Sequence, residues 1–140
     1  MRLTDAGRSP APAAVRRAVR LVLAREYPGP AVIEVTMLSS QRMRALNRRA
    51  FGRDRATDVI AFGMRHGETL VGDVYVCPAV ARGSAARLGI SPSEEVLRLV
   101  VHGILHALGY RHPEGRARTR SAMWRRQERY VAALRPAGAR

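Results

Sequence analysis

The 140-residue chain is 46 % hydrophobic and has one cysteine, enough for a single core and too few for an internal disulfide. Its 25 basic residues, all arginine, face 11 acidic ones for a formal charge of +14, which suits a polyphosphate partner. No apolar stretch nears the ~20 residues that span a bilayer, residues 1–12 lack the apolar centre of a signal peptide, and an aromatic content of 5 % argues against a base-stacking platform. These features predict a soluble, cytoplasmic single domain over residues 1–140, with residues 1–10 loosely ordered and 136–140 a tail.

In residues 11–25, Val15, Ala18, Val19 and Val22 recur at i, i+3, i+4 and i+7, an amphipathic helix ended by Tyr27-Pro-Gly-Pro30. Residues 31–37 are short and β-branched, a strand. Ser39 or Ser40 caps a second helix with Met43, Leu46 and Asn47, the last placed to hold loop backbone. A charged loop over 52–55 leads into a strand at 57–62. The polar His66-Gly67-Glu68 then marks a hairpin to a strand at 70–77, which buries Cys77. Residues 78–88 read as helix up to Gly89. Ser91-Pro-Ser-Glu94 is a capping box with proline in the first turn. The helix behind it is apolar nearly all round, from Val96 to Leu108, and so buried on most faces. A last helix over 117–134 turns Met123, Trp124, Tyr130, Val131 and Leu134 inward and its arginines outward. The class is α+β: a small mixed sheet of three to four strands packed by about five helices.

That central buried helix carries the chemistry. His102 and His106 stand four residues apart, on one face, and Gly109 can end the helix before His112 arrives. Three neutral imidazoles with an open fourth position are the protein half of a catalytic zinc site. The spacing His-x3-His-x2-Gly-x2-His is that of metzincin proteases, but their general-base Glu falls on Gly103 here, which cannot take a proton. The fourth histidine, His66, reads as a loop residue.

Charge is clustered. Residues 41–55 hold six Arg and one Asp, a net +5, and residues 111–140 hold nine Arg and two Glu, a net +7. A metal tripod without its own base, beside guanidinium groups that grip phosphate, points to a phosphodiester substrate.

The stretch His-Gly-x-Leu-His-x-Leu-Gly-Tyr-x-His, with Thr57-Asp-Val-Ile-x-Phe62 and Gly72-Asp-Val-x-Val76 before it, resembles the YbeY family of bacterial endoribonucleases over about residues 31–134. The resemblance implies one Zn2+ per chain on His102, His106 and His112. It also implies a single-strand-specific endoribonuclease that matures the 3′ end of 16S rRNA and acts in late-stage 70S ribosome quality control. Its partners would be ribosomal RNA precursors and ribosomal particles, with no membrane and no nucleotide cofactor. The chain departs from the family at Arg111, where most members have Asp, and at Ala61 and Gly63, where Ser and Pro are usual. It departs also at Ala50-Phe51, where many carry Tyr-Arg. Arg49, Arg53 or Arg55 is then expected to supply the missing guanidinium, and Arg48, Arg49, Arg53 and Arg55 to bind RNA.

Asp73 is a catalytic candidate that can orient a ligand histidine or bind the reacting water, or it merely caps a turn, and Asp58 reads as structural. Two other readings stay open: a zinc hydrolase on another substrate, such as a peptidase with a base from elsewhere, and a non-catalytic ribosome-assembly factor whose zinc is structural.

Overall fold

The computed structural model describes residues 2–4 and 11–136. Strand β1 (Arg2–Thr4) is followed by helix α1 (Pro12–Glu26), which opens with a proline in its first turn, where no amide partner is lost. Strand β2 (Ala31–Met37) leads to α2 (Ser40–Phe51), capped by Ser39, whose hydroxyl accepts from the Arg42 amide at 3.2 Å. Strands β3 (Val59–His66) and β4 (Thr69–Val76) form the expected hairpin, turning at Gly67 with φ +62°. Helices α3 (Pro78–Leu88) and α4 (Pro92–Ala107) follow, then a 3₁₀ helix (Gly115–Arg120) and α5 (Ala122–Leu134).

Among the described residues the sheet is mixed, in the order β1-β2-β4-β3, with β1, β2 and β4 parallel and β3 antiparallel to β4. Strand alternation puts Ile33, Val35 and Met37 of β2 and Leu70, Val74 and Val76 of β4 on one face, where they join α1 and α4 in the main core. The opposite face carries a smaller cluster of Met43, Ile60 and Cys77 beneath α2. Helix α4 touches β3, β4, α1, α3 and α5. It is the hub of the fold, as its all-round apolar sequence predicts.

The structure departs from the sequence reading in four places. Arg2–Thr4 pair with β2 as a strand, whereas the rest of the stretch read as loosely ordered (1 and 5–10) and residues 137–140 of the tail lie outside the described residues. The last helix is split, because Ser121 adopts extended backbone (φ −73°, ψ 157°) and its hydroxyl accepts from the Trp124 amide at 3.1 Å, starting α5 afresh. Trp124 is half-buried rather than core. The capping box is half formed: Ser91 accepts from the Glu94 amide at 3.1 Å, but the Glu94 carboxylate turns away to Arg135 at 2.7 Å.

Candidate metal centre

Residues of α4 from Val100 to Leu105 are all buried, so His102, only 4 % exposed, is fixed by packing on both sides. One turn on, His106 is half-buried at the end of the helix. The helix closes in a Schellman motif: the Gly109 amide donates to His106 O at 2.9 Å and the Tyr110 amide to Leu105 O at 3.0 Å. Gly109 sits at φ +106°, a backbone conformation that L side chains rarely adopt, and from it the chain swings His112 back over the helix. The three rings gather with centroid separations of 4.6, 5.0 and 4.9 Å.

Each ring has one nitrogen already committed. His102 Nδ1 lies 2.6 Å from Gln127 Oε1, His106 Nδ1 3.0 Å from Tyr110 O, and His112 Nδ1 3.1 Å from Pro113 O. Carbonyl oxygens only accept, so every Nδ1 is the donor and every Nε2 keeps its lone pair. The Gln127 orientation is itself fixed, since its NH2 donates to Glu128 Oε2 at 2.9 Å and a carboxylate only accepts. Burial drives His102 down to about 3, the neighbouring histidines and Arg118 adding to the fall, against the Gln127 bond. Burial and then His112 likewise lower His106. Both rings are therefore neutral at physiological pH, the form that binds a metal. The ligand atoms of His102, His106 and His112 lie within 4.8 Å of one another, and this group can hold a metal ion. It has three members among the described residues, which is the ligand count of an open site rather than a closed one.

Gly103 is small for a physical reason. A Cβ there would lie 2.5 Å from Val74 Cγ1, so α4 rests directly on β4 and any side chain, carboxylate included, would force Val74 or the helix to shift. Gly63 makes the same allowance on β3, where a Cβ would stand 2.1 Å from Ala107 O.

The tripod borders one cavity at His106 and another at His102. A groove of about 580 Å³ includes His106 and Gly109 with Phe51, Arg53, Phe62 and Arg111 in its walls. A second cavity of about 510 Å³ includes His102, Gln127, Arg118 and Trp124. Of the arginines expected to act on RNA, the structure brings only Arg53 to the histidines. Arg48 and Arg49 line a separate hollow with Arg44 and Asp54, where Arg48 lies 3.7 Å from the Asp54 carboxylate. Arg55 is exposed, and its carbonyl accepts from Asn47 Nδ2 at 3.0 Å, so Asn47 holds the loop backbone as expected.

Asp73 does not orient a histidine. On β4 it alternates with Gly72 and Val74, which meet α4, so it faces the other side of the sheet, beside Glu34 and Phe62 in the register. Asp58 lines the His102 cavity and accepts from the Cys77 amide through its carbonyl at 2.9 Å. His66 is the exposed last residue of β3.

Three residues that the sequence reading left out complete the site. Two of them, Gln127 and Arg118, line the cavity that includes His102. The third is Glu26 on α1, which accepts from the hydroxyls of Tyr110 (2.6 Å) and Tyr130 and from Arg126 (3.0 Å). Burial pushes its carboxyl up, but these three bonds together hold it below the ordinary 4.5.

The fold and the tripod together define a class. A family model described as endoribonuclease YbeY matches residues 8–135, and the chain belongs to that family. Within it, the chain is 33 % identical over 117 residues to the endoribonuclease YbeY of Chlorobaculum tepidum, covering 84 % of each. It is 34 % identical over 103 residues to that of Thermotoga maritima, covering 74 % of this chain and 67 % of the relative. The solution structure of TM1509 from Thermotoga maritima superposes with a TM-score of 0.66 at 25 % identity over 99 % of both chains. Among the described residues, no helix is long and apolar enough to cross a membrane.

Proposed function

We propose that the chain is a zinc-dependent endoribonuclease that cuts single-stranded stretches of ribosomal RNA precursors in the cytoplasm, the 3′ end of the small-subunit RNA among them, and that it acts on ribosomal particles in their quality control. The observation that carries this reading is the set of three Nε2 lone pairs left free by three committed Nδ1 donors. His102, His106 and His112 would hold the ion, which supplies Lewis acidity toward a phosphoryl oxygen or water.

The remaining roles fall to the chain's own residues. Arg53 and Arg111, both on the His106 groove, hold the phosphates of the strand. Gln127 and the Tyr110 carbonyl hold two of the rings in the tautomer that leaves Nε2 unprotonated. The close seat of Gly103 on Val74 supports a substrate other than a peptide, since it opposes the carboxylate base of the protease motif. In the cleavage, a water oxygen joins phosphorus while one ribose oxygen leaves and takes a proton.

The test compares zinc-loaded wild type with its His106→Ala variant on precursor small-subunit RNA. Wild type should cut and the variant should bind without cutting. Cutting by both, or by neither, would remove the zinc-nuclease reading.

A further inference from the structure

Of the arginines that line the His102 cavity, Arg98 and Arg87 have polar side-chain partners and Arg118 keeps a donor without one. Arg98 is held by Glu128 at 2.9 Å, by Glu95 at 3.2 Å and, more loosely, by Glu94 at 3.7 Å. Arg87 donates to Ser84 Oγ at 3.2 Å. Arg118, on the 3₁₀ helix, has no carboxylate partner among the described residues, and its buried Nε has no hydrogen-bond partner. A buried guanidinium N–H without an acceptor is costly, a cost that a fold keeps where an acceptor arrives later.

The place is informative. Arg118 shares the cavity of about 510 Å³ with His102. Its guanidinium carbon lies 5.8 Å from the centre of the Trp124 ring, which limits where the fork can point. A permanent cation with a free donor, beside three imidazole ligands, suits an anionic oxygen bound next to the ion.

We propose that Arg118 takes the phosphate being cleaved, donating from its fork to a non-bridging oxygen and reaching it from the His102 side of the tripod. This rests on the nuclease reading and adds to it a residue that touches the reacting group. It also gives the strand a path: the phosphates before and after the cut lie on the Arg53 and Arg111 groove, and the scissile one between the histidines and Arg118.

The test uses Arg118→Gln and Arg118→Lys in the full, zinc-loaded chain, with two readouts. The first is cleavage of single-stranded RNA. Loss of one preorganised donor should lower kcat on the order of 100-fold in R118Q, with KM changed far less, and R118K should fall between. The second is binding of a single-stranded oligoribonucleotide at several salt concentrations, in the His106→Ala background so that the strand is bound but not cut. The salt slope in R118Q should shrink by about 0.7, the share of one phosphate contact on a single strand, and R118K should keep it. A merely structural arginine would move stability and leave that slope alone.

Wild-type rate and slope in R118Q would overturn the proposal, and so would loss of zinc binding in R118Q, which would make Arg118 a support of the site. Should R118Q fail to fold, R118K cutting at the wild-type rate would overturn the forked contact. If wild type binds the oligonucleotide but cuts no RNA, the nuclease reading fails, while the slope still decides whether Arg118 meets a phosphate.

Discussion

Gln127 shows how much of the site hangs on one uncharged side chain. It is 1 % exposed, and it joins His102 to Glu128 and through it to Arg98, so the ring that starts the tripod is steered by a line of hydrogen bonds from α5. Gln127→Leu keeps the volume and removes the acceptor, leaving the buried Nδ1–H unpaired. Zinc affinity should fall about 10- to 100-fold, the usual effect of losing such a support. Competition with a chromophoric chelator measures it, and an unchanged affinity would show that packing alone orients the ring. Gln127 was within reach of the sequence: it sits four residues after Met123 and three before Tyr130, a polar residue on an apolar helix face. So was the outward direction of Asp73, which follows from the alternation of Leu70, Gly72, Val74 and Val76. Arg118 was not, because its value comes from neighbours on α4 and α5 and from the acceptor it lacks.

At the scale of elements, α4 works as a fixed post whose height above the sheet is set by Gly103 and Gly63. Gly103→Ala would drive a methyl to 2.5 Å from Val74 Cγ1. Overpacking of this kind costs about 1–3 kcal/mol. The double variant Gly103→Ala/Val74→Ala should recover part of that loss, and chemical denaturation of the four members of the cycle gives the coupling. Strictly additive effects would mean that the two residues do not press on each other. The helix itself was the most legible element, since the capping residues, the first-turn proline, the apolar run and the glycine stop all agree. Its partner α5 was less so. Arginine-rich residues 115–120 carry no apolar period, so nothing in the pattern marks the 3₁₀ turn, and the break depends on Ser121 choosing its local cap.

Across the whole molecule the +14 charge is sorted by what each arginine is doing. Arg98, Arg126 and Arg135 are tied to carboxylates that bind helices together, at 2.9, 3.0 and 2.7 Å. Arg44 and Arg48 sit with Asp54 in a hollow apart from the histidines. Arg53 and Arg111 line the groove that His106 opens into. The clusters seen in the sequence are thus mixtures, and counting charge along the chain could not separate holders of structure from holders of RNA. Replacing Arg53 and Arg111 together by Gln should reduce the salt slope for a single-stranded oligonucleotide by about 1.4, two contacts' worth. Arg44→Gln should leave it unchanged. Equal effects from the two variants, read from binding curves at several salt concentrations, would put the strand elsewhere.

Tyr110 touches three parts of the molecule at once: its amide closes α4, its carbonyl holds His106, and its hydroxyl meets Glu26 on α1. Loading the metal and docking the first helix are therefore one linked equilibrium, and each must stabilise the other by the same free energy. Adding zinc should slow hydrogen exchange at the amides of α1, far along the chain from any ligand. In Tyr110→Phe, which keeps the amide and the carbonyl but cuts the tie to Glu26, that slowing should shrink.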